Sequence, residues 1–186
     1  MAFDGGRFEK NRSLTGDGGG LALVASVLAT DLQDTLFKAN TAGGSGGAIF
    51  HGGGTLSLEG VDLLGNIASF HGGGLATISA GSLTVNDSLV QGNRATHGSG
   101  GGFHLAGAGA KTITASDVLK NKAGFEGGGV FLALGGLTLD TTVVSGNAAV
   151  FRGGGTRNAT AAPIVFLGLG TVSGNTAAID PNTSGL

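Results

Sequence analysis

Short apolar segments bounded by polar or glycine-rich turns recur along the whole chain. In segment 55–58, "TLSL", Leu56 and Leu58 flank Ser57, and in segment 82–85, "SLTV", Leu83 and Val85 flank Thr84. Alternation with period two over so few residues predicts strands with one buried face. A second set of segments follows clusters of glycine: "LAL" at 21–23, "AIF" at 48–50, "LAT" at 75–77, "FHL" at 103–105 and "VFL" at 130–132. A third set leads into asparagine, as in "DLLGN" at 62–66, "SLVQGN" at 88–93 and "TVVSGN" at 142–147.

The three kinds of segment return in a fixed order. The last glycine of each cluster, Gly20, Gly47, Gly74, Gly102, Gly129 and Gly155, advances by 27, 27, 28, 27 and 26 residues. Asparagine keeps the same phase at Asn11, Asn40, Asn66, Asn93, Asn121, Asn147 and Asn175. A period of this length is the signature of a solenoid or array. The turns are too short for a crossover helix, so each strand should pair in parallel with its equivalent one coil later, about 4.8 Å away. The predicted fold is therefore all-β: a single-stranded parallel β-helix of about six coils, three short strands in each, filling residues 1–186 as one domain.

Both marker residues have a backbone explanation. A sharp corner repeated in every coil favours residues without Cβ that accept positive φ, which makes Gly20, Gly47, Gly74, Gly102, Gly129 and Gly155 the expected turn glycines. Asparagine also tolerates the left-handed region, and its amide both donates and accepts. Asn40, Asn66, Asn93, Asn121, Asn147 and Asn175 are accordingly expected to form a hydrogen-bonded ladder at a buried corner. A phosphate loop would need one glycine cluster opening a helix, and repeated clusters between strands do not meet that requirement.

Composition narrows the class further. Glycine contributes 40 of 186 residues, as in flexible linkers, yet apolar residues make up 40%, enough to bury a core. Ten basic and twelve acidic residues are mixed along the sequence, which predicts no basic patch and no nucleic-acid partner. Without cysteine there is neither a disulfide framework nor a thiolate metal site. The opening "MAFDGGRFEK" lacks the basic start and apolar stretch of a secretory signal. The uncharged stretch 158–179 has only "PIVFLGLG" as its apolar centre, short of the about 20 residues that a membrane span requires.

The tetrads "FEKN" at 8–11 and "FKAN" at 37–40, the latter followed by "GGAI" at 46–49, resemble the paired FxxN and GGAI repeats of chlamydial-type polymorphic outer membrane proteins. Later coils keep the glycines and the asparagine and place Leu63, Val90, Val118, Val144 and Val172 where the motif has phenylalanine. The resemblance covers nearly the whole chain, through a short motif shared with other parallel β-helix proteins, pectate-lyase-like ones included. It implies a right-handed β-helix and a surface-exposed adhesive passenger, hence a secreted or cell-surface location.

An enzyme is the competing reading, because polysaccharide-processing β-helices carry carboxylates on adjacent coils. Asp62 and Asp117 share a column with Leu89 between them, and Glu59, Asn86 and Asp140 share another, with Asp87 beside Asn86. Inverting glycosidases hold their carboxyl groups about 6.5–9.5 Å apart, which makes Glu59 with Asp87 the best-placed pair. Isolated acids on an outward row are more often solvated, and the chain has neither Trp nor Tyr as a sugar platform. His51, His71, His97 and His104 fall at different phases of the repeat, without the spacing of a zinc motif, and read as surface histidines. No catalytic residue, metal or cofactor is therefore expected. Ser57, Thr84, Thr112 and Thr138 form an outward hydroxyl row that ordinary strand propensity explains.

The remaining function class is interaction. With the first and third residues after each glycine cluster pointing inward, the middle row Ala22, Ile49, Ala76, His104 and Phe131 faces out, followed by Arg157. Ile49 and Phe131 are unusual on a solvent face and mark a candidate interaction stripe. No amphipathic capping helix is evident near either terminus, so end-to-end self-association joins the stripe as a candidate contact, with a surface glycan or protein as the candidate ligand.

Overall fold

The computed structural model describes residues 1–24 and 29–185. The chain is an all-β parallel solenoid of about six turns, and every strand pairing among the described residues is parallel and joins one coil to the next. Three sheets run the length of the solenoid. The post-glycine strands, Leu21–Leu23, Ile49–His51, Leu75–Thr77, Phe103–Leu105, Val130–Leu132 and Thr156–Asn158, stack as one sheet that also takes in Thr183–Ser184. Mid-coil strands such as Leu83–Asn86 and pre-asparagine strands such as Leu89–Gln91 belong together to a second sheet. They part at a residue with positive φ, and in Ala2–Glu9 and Thr30–Lys38 they run on as single strands.

A fourth strand per coil, only two residues long, follows the asparagine: Arg12–Ser13, Thr41–Ala42, Ile67–Ala68, Arg94–Ala95, Lys122–Ala123 and Ala148–Ala149 form a sheet of their own. The expected three strands per coil are thus four. A two-residue strand is too short to show alternation, so its signal is lost among turn residues. Its inward residue is almost always alanine, and Ala42, Ala68, Ala95, Ala123 and Ala149 are buried.

Inward columns build the core. The FxxN phenylalanine position reads Phe8, Phe37, Leu63, Val90, Val118, Val144 and Val172 in strict register. Phe8 stacks on Phe37 with ring centroids 4.6 Å apart. The mid-coil strands add Leu32, Leu58, Val85, Ile113 and Leu139, and the post-glycine strands add Ile49, Leu75, Phe103 and Val130. One inward column contains a cation: Lys111 stands between Leu83 and Leu137. Its ammonium reaches loop carbonyls, donating to Gly107 O, to Gly109 O at 2.7 Å and to Leu134 O at 3.0 Å. Burial lowers its pKa.

The asparagines occupy the corner between the pre-asparagine and post-asparagine strands. Each backbone N–H and side-chain Nδ2 donate to Oδ1 of the asparagine one coil on. For Asn66 onto Asn93 both bonds are 2.9 Å, and the pattern repeats for Asn40, Asn93, Asn121 and Asn147. The second Nδ2 hydrogen goes back one coil, from Asn93 to Leu63 O at 2.8 Å and from Asn121 to Val90 O at 2.8 Å. Asn175 donates in the same way to Asn182, at 3.3 Å. Each internal amide thus uses both donors and accepts twice, filling the place of backbone groups that the bend draws apart. Asn40, Asn66, Asn93, Asn121 and Asn147 are fully buried.

The glycine clusters divide their work in a way the spacing did not reveal. Only the first member of each is left-handed, as at Gly72 with φ of 63°. Gly47 lies in the next column, where the post-asparagine strand of the following coil passes directly over it: a Cβ there would lie 2.7 Å from backbone atoms of Ile67 and collide with the Gly73 carbonyl. Gly20, Gly74, Gly102, Gly129 and Gly155 form the third column, and its member in the second coil is Ala48 rather than Gly47. None of these five has positive φ, and a Cβ on Gly74 would sit 2.8 Å from Gly102 O. Close backbone approach, not turn conformation, is what demands glycine there.

Replacing Asn93 with Leu leaves the N–H and Nδ2 of Asn66 without an acceptor and Leu63 O without a donor. The variant is expected to lose about 1–3 kcal/mol of stability. An unchanged midpoint in chemical denaturation would show that the ladder does not contribute.

Candidate interaction faces

Register determines what each face presents. Because Ala48 takes the third glycine position, the second coil is shifted by one residue: Ile49 points into the core at 0% exposure, and Phe50 joins the outward column with Ala22, Ala76, His104, Phe131 and Arg157. Ile49 therefore does not belong to the expected stripe. Nor is the middle of the column open, although Ala22 is exposed and Phe131 and Arg157 are half-buried. Phe50 is 6% exposed and Ala76 1%, because the glycine turns fold back across it, and a Cβ on Gly127 would lie 2.7 Å from that of Phe131.

The same covering draws in histidines expected on the surface. The His71 and His104 rings are 4.4 Å apart, and His104 stacks on Phe131 at 5.2 Å with the planes 9° apart. His71 Nδ1 accepts from Ser99 N–H at 3.2 Å, continuing a corner in which Asp17 Oδ1 accepts from Ser45 N–H at 2.6 Å. Burial, with the neighbouring His71 adding to it, pushes the His104 pKa down to about 3. His51 is buried in the inward column between Leu23 and Thr77; its Nδ1 lies 3.3 Å from Thr77 Oγ1, its Nε2 has no hydrogen-bond partner among the described residues, and burial lowers its pKa. Of the four, only His97 is an exposed side chain. Among the described residues no three His, Asp or Glu side chains come together in a way that could hold a metal ion.

Two exposed aromatic residues lie stacked one corner away. Phe125 and Phe151, 50% and 37% exposed, are stacked with centroids 5.6 Å apart, and the Arg152 guanidinium sits 4.8 Å above the Phe151 ring. Val150 extends this apolar edge. Beside it, on the post-asparagine face, two shallow depressions of about 410 and 540 Å³ share Arg94 and Lys122. Gly124 and Ala148 line the first, Gly65, Gly92, Lys120 and Gly146 the second. The cations rise from a floor of small residues, and no carboxylate lines either depression. The chain therefore does carry a local basic patch, hidden in the sequence because its members lie a full coil apart.

Of the acids with enzymatic potential, Glu59 is held by a neighbouring coil. Both carboxylate oxygens of Glu59 accept from Asn86 Nδ2, at 2.9 and 3.0 Å. Asp87 occupies the left-handed corner at φ of 45°. Asp62 and Asp117 flank Leu89 in register, and burial raises the Asp62 pKa. A second ladder, missed in the sequence, buries hydroxyls at that corner: Ser116 Oγ accepts from Ser88 N–H at 3.1 Å, and Ser88 Oγ from Val61 N–H at 3.0 Å. Thr142, also buried, donates to Ile113 O.

Comparison with family models, curated proteins and solved structures finds no match to this chain.

The buried imidazole predicts a pH dependence. His104 stays neutral in the folded chain down to about pH 3, whereas the unfolded chain takes up this proton near pH 6.5. Stability should therefore fall as pH drops from about 6.5 towards 3, by about 1.4 kcal/mol per pH unit from this residue. His104→Phe should flatten the slope of stability against pH over that window, measured by urea unfolding. Parallel slopes for the two proteins would show that His104 is protonated in the folded state.

Proposed function

We propose that this solenoid is non-enzymatic and serves as an adhesive or structural scaffold of a secreted or cell-surface protein, presenting its outward columns to a glycan or protein. The observation that carries this reading is the stacked pair Phe125 and Phe151, held outward on a rigid corner with Val150 and Arg152 beside it. Exposed aromatic residues next to cations are typical of recognition surfaces, since rigid rings contribute contact area at low entropic cost. The resemblance of "FKAN" and "GGAI" to polymorphic outer membrane protein repeats supports the adhesive role and the surface location. Self-association, end to end or through exposed apolar columns, is part of the same proposal.

A carbohydrate-active enzyme is less well supported, because Glu59, the acid best placed for it, gives both oxygens to Asn86. A glycan array probed with the wild-type chain and with Phe125→Ala/Phe151→Ala tests the scaffold reading. Binding that weakens about tenfold or more in the double variant is expected, in line with the loss of buried aromatic anchors. Release of reducing ends from an acidic polysaccharide, abolished by Glu59→Gln, would overturn it in favour of catalysis.

A further inference from the structure

Folding sorts charges that the sequence intermixes. Two outward columns meet at the asparagine corner: the left-handed residue before each asparagine, and the first residue after it. They carry Lys10, Arg12, Arg94, Lys120 and Lys122, and no acid. The outward columns of the mid-coil strands and the left-handed corner that ends them carry Asp4, Asp31, Asp34, Glu59, Asp87 and Asp140, and no base. The pre-asparagine strand separates the two faces.

Arg94 and Lys122 are direct register partners on successive coils, about 4.8 Å apart. Glu59 pairs in register with Asn86, which places Asp87 one coil and one residue on from Glu59. Arg94, Lys120 and Lys122 make no ion pair among the described residues.

We propose that the cationic asparagine-corner face docks on the acidic mid-coil face of a second copy of this chain, so that solenoids associate side by side. The complement in charge to the cationic face is thus supplied by the molecule itself. Because the two faces differ, the contact is heterologous and a pair keeps one cationic and one acidic face free, so assembly continues as an open array rather than closing as a dimer. Individual exposed pairs are weak and screened by salt, so association should be concentration-dependent and ionic. This names a partner for the scaffold reading and rests on it, but its test is separate from ligand binding and from polysaccharide cleavage.

The test is sedimentation velocity on the full chain over a concentration series. At about 0.01 M ionic strength, where the Debye length is about 30 Å, the weight-average mass should rise with concentration; at about 1 M, where it is about 3 Å, the rise should vanish. Arg12→Glu/Arg94→Glu/Lys120→Glu/Lys122→Glu makes both faces acidic, and Asp31→Lys/Glu59→Lys/Asp87→Lys/Asp140→Lys makes both basic, so each variant alone should remain monomeric. Mixed together they should associate again, a recovery that misfolding cannot produce. The milder Arg94→Gln/Lys122→Gln should weaken association about tenfold or more without charge reversal. A wild-type mass that does not change with concentration at low salt, association that persists at high salt, or a mixture of the reversed variants that stays monomeric would each overturn the proposal. Binding of heparin to the cationic face in a chain that does not self-associate would assign that face to an anionic polymer instead.

Discussion

Register between coils is the constraint on which everything else here depends. In a strand whose side chains alternate, a slip of one residue exchanges core for solvent. The asparagine ladder prevents such a slip once per coil, because each amide must meet the carboxamide above it, and the buried corner supplies no water to replace a missing partner. With that corner fixed, the phenylalanine-to-valine column, the hydroxyl ladder and the alanine column fall into line, and the outward residues become ordered rows.

The second coil shows how local this constraint is. Its glycine cluster reads Gly46, Gly47, Ala48, so the last glycine is not the residue equivalent to Gly74. Counting glycines shifts the coil by one and turns Ile49 outward, whereas counting forward from Asn40 by the step that leads from Asn66 to Gly74 arrives at Ala48 and keeps it in phase. Phase is carried by the residue whose side chain bonds across coils, and glycine, having no side chain, marks a place where backbones approach without specifying which of three neighbouring positions is meant. The solenoid, its period and the asparagine corner were legible because they repeat. Lys111 and His51 are single titratable side chains inside mainly apolar columns, and no repeat could reveal how their polar atoms are accommodated. The two-residue strand and the Ser88, Ser116 and Thr142 ladder were beyond reach for another reason: neither is long enough to generate a period of its own.

Charge offers the complementary lesson. Along the chain Lys120 and Lys122 are close to Asp117 and Glu126, and the local balance is near neutral. In the fold, neighbours along the chain point to different sides, and neighbours in space are a coil apart. A patch in a solenoid is thus a property of every twenty-seventh residue or so, and a window sliding along the sequence averages it away.

The asparagine ladder also has a direction. From Asn11 to Asn175 one Nδ2 hydrogen of each amide is donated to the next asparagine of the row, while from Asn40 on the other goes back one coil to a backbone carbonyl. Aligned hydrogen bonds of this kind polarise one another, so a bond in the middle of the row is strengthened by those on both sides. The two ends of the row are consequently unlike, and the solenoid has an electrical sense along its axis as well as charged sides across it. Two such molecules lying side by side are not indifferent to whether they run the same way: antiparallel neighbours would compensate one another's axial polarity, and parallel neighbours would add to it.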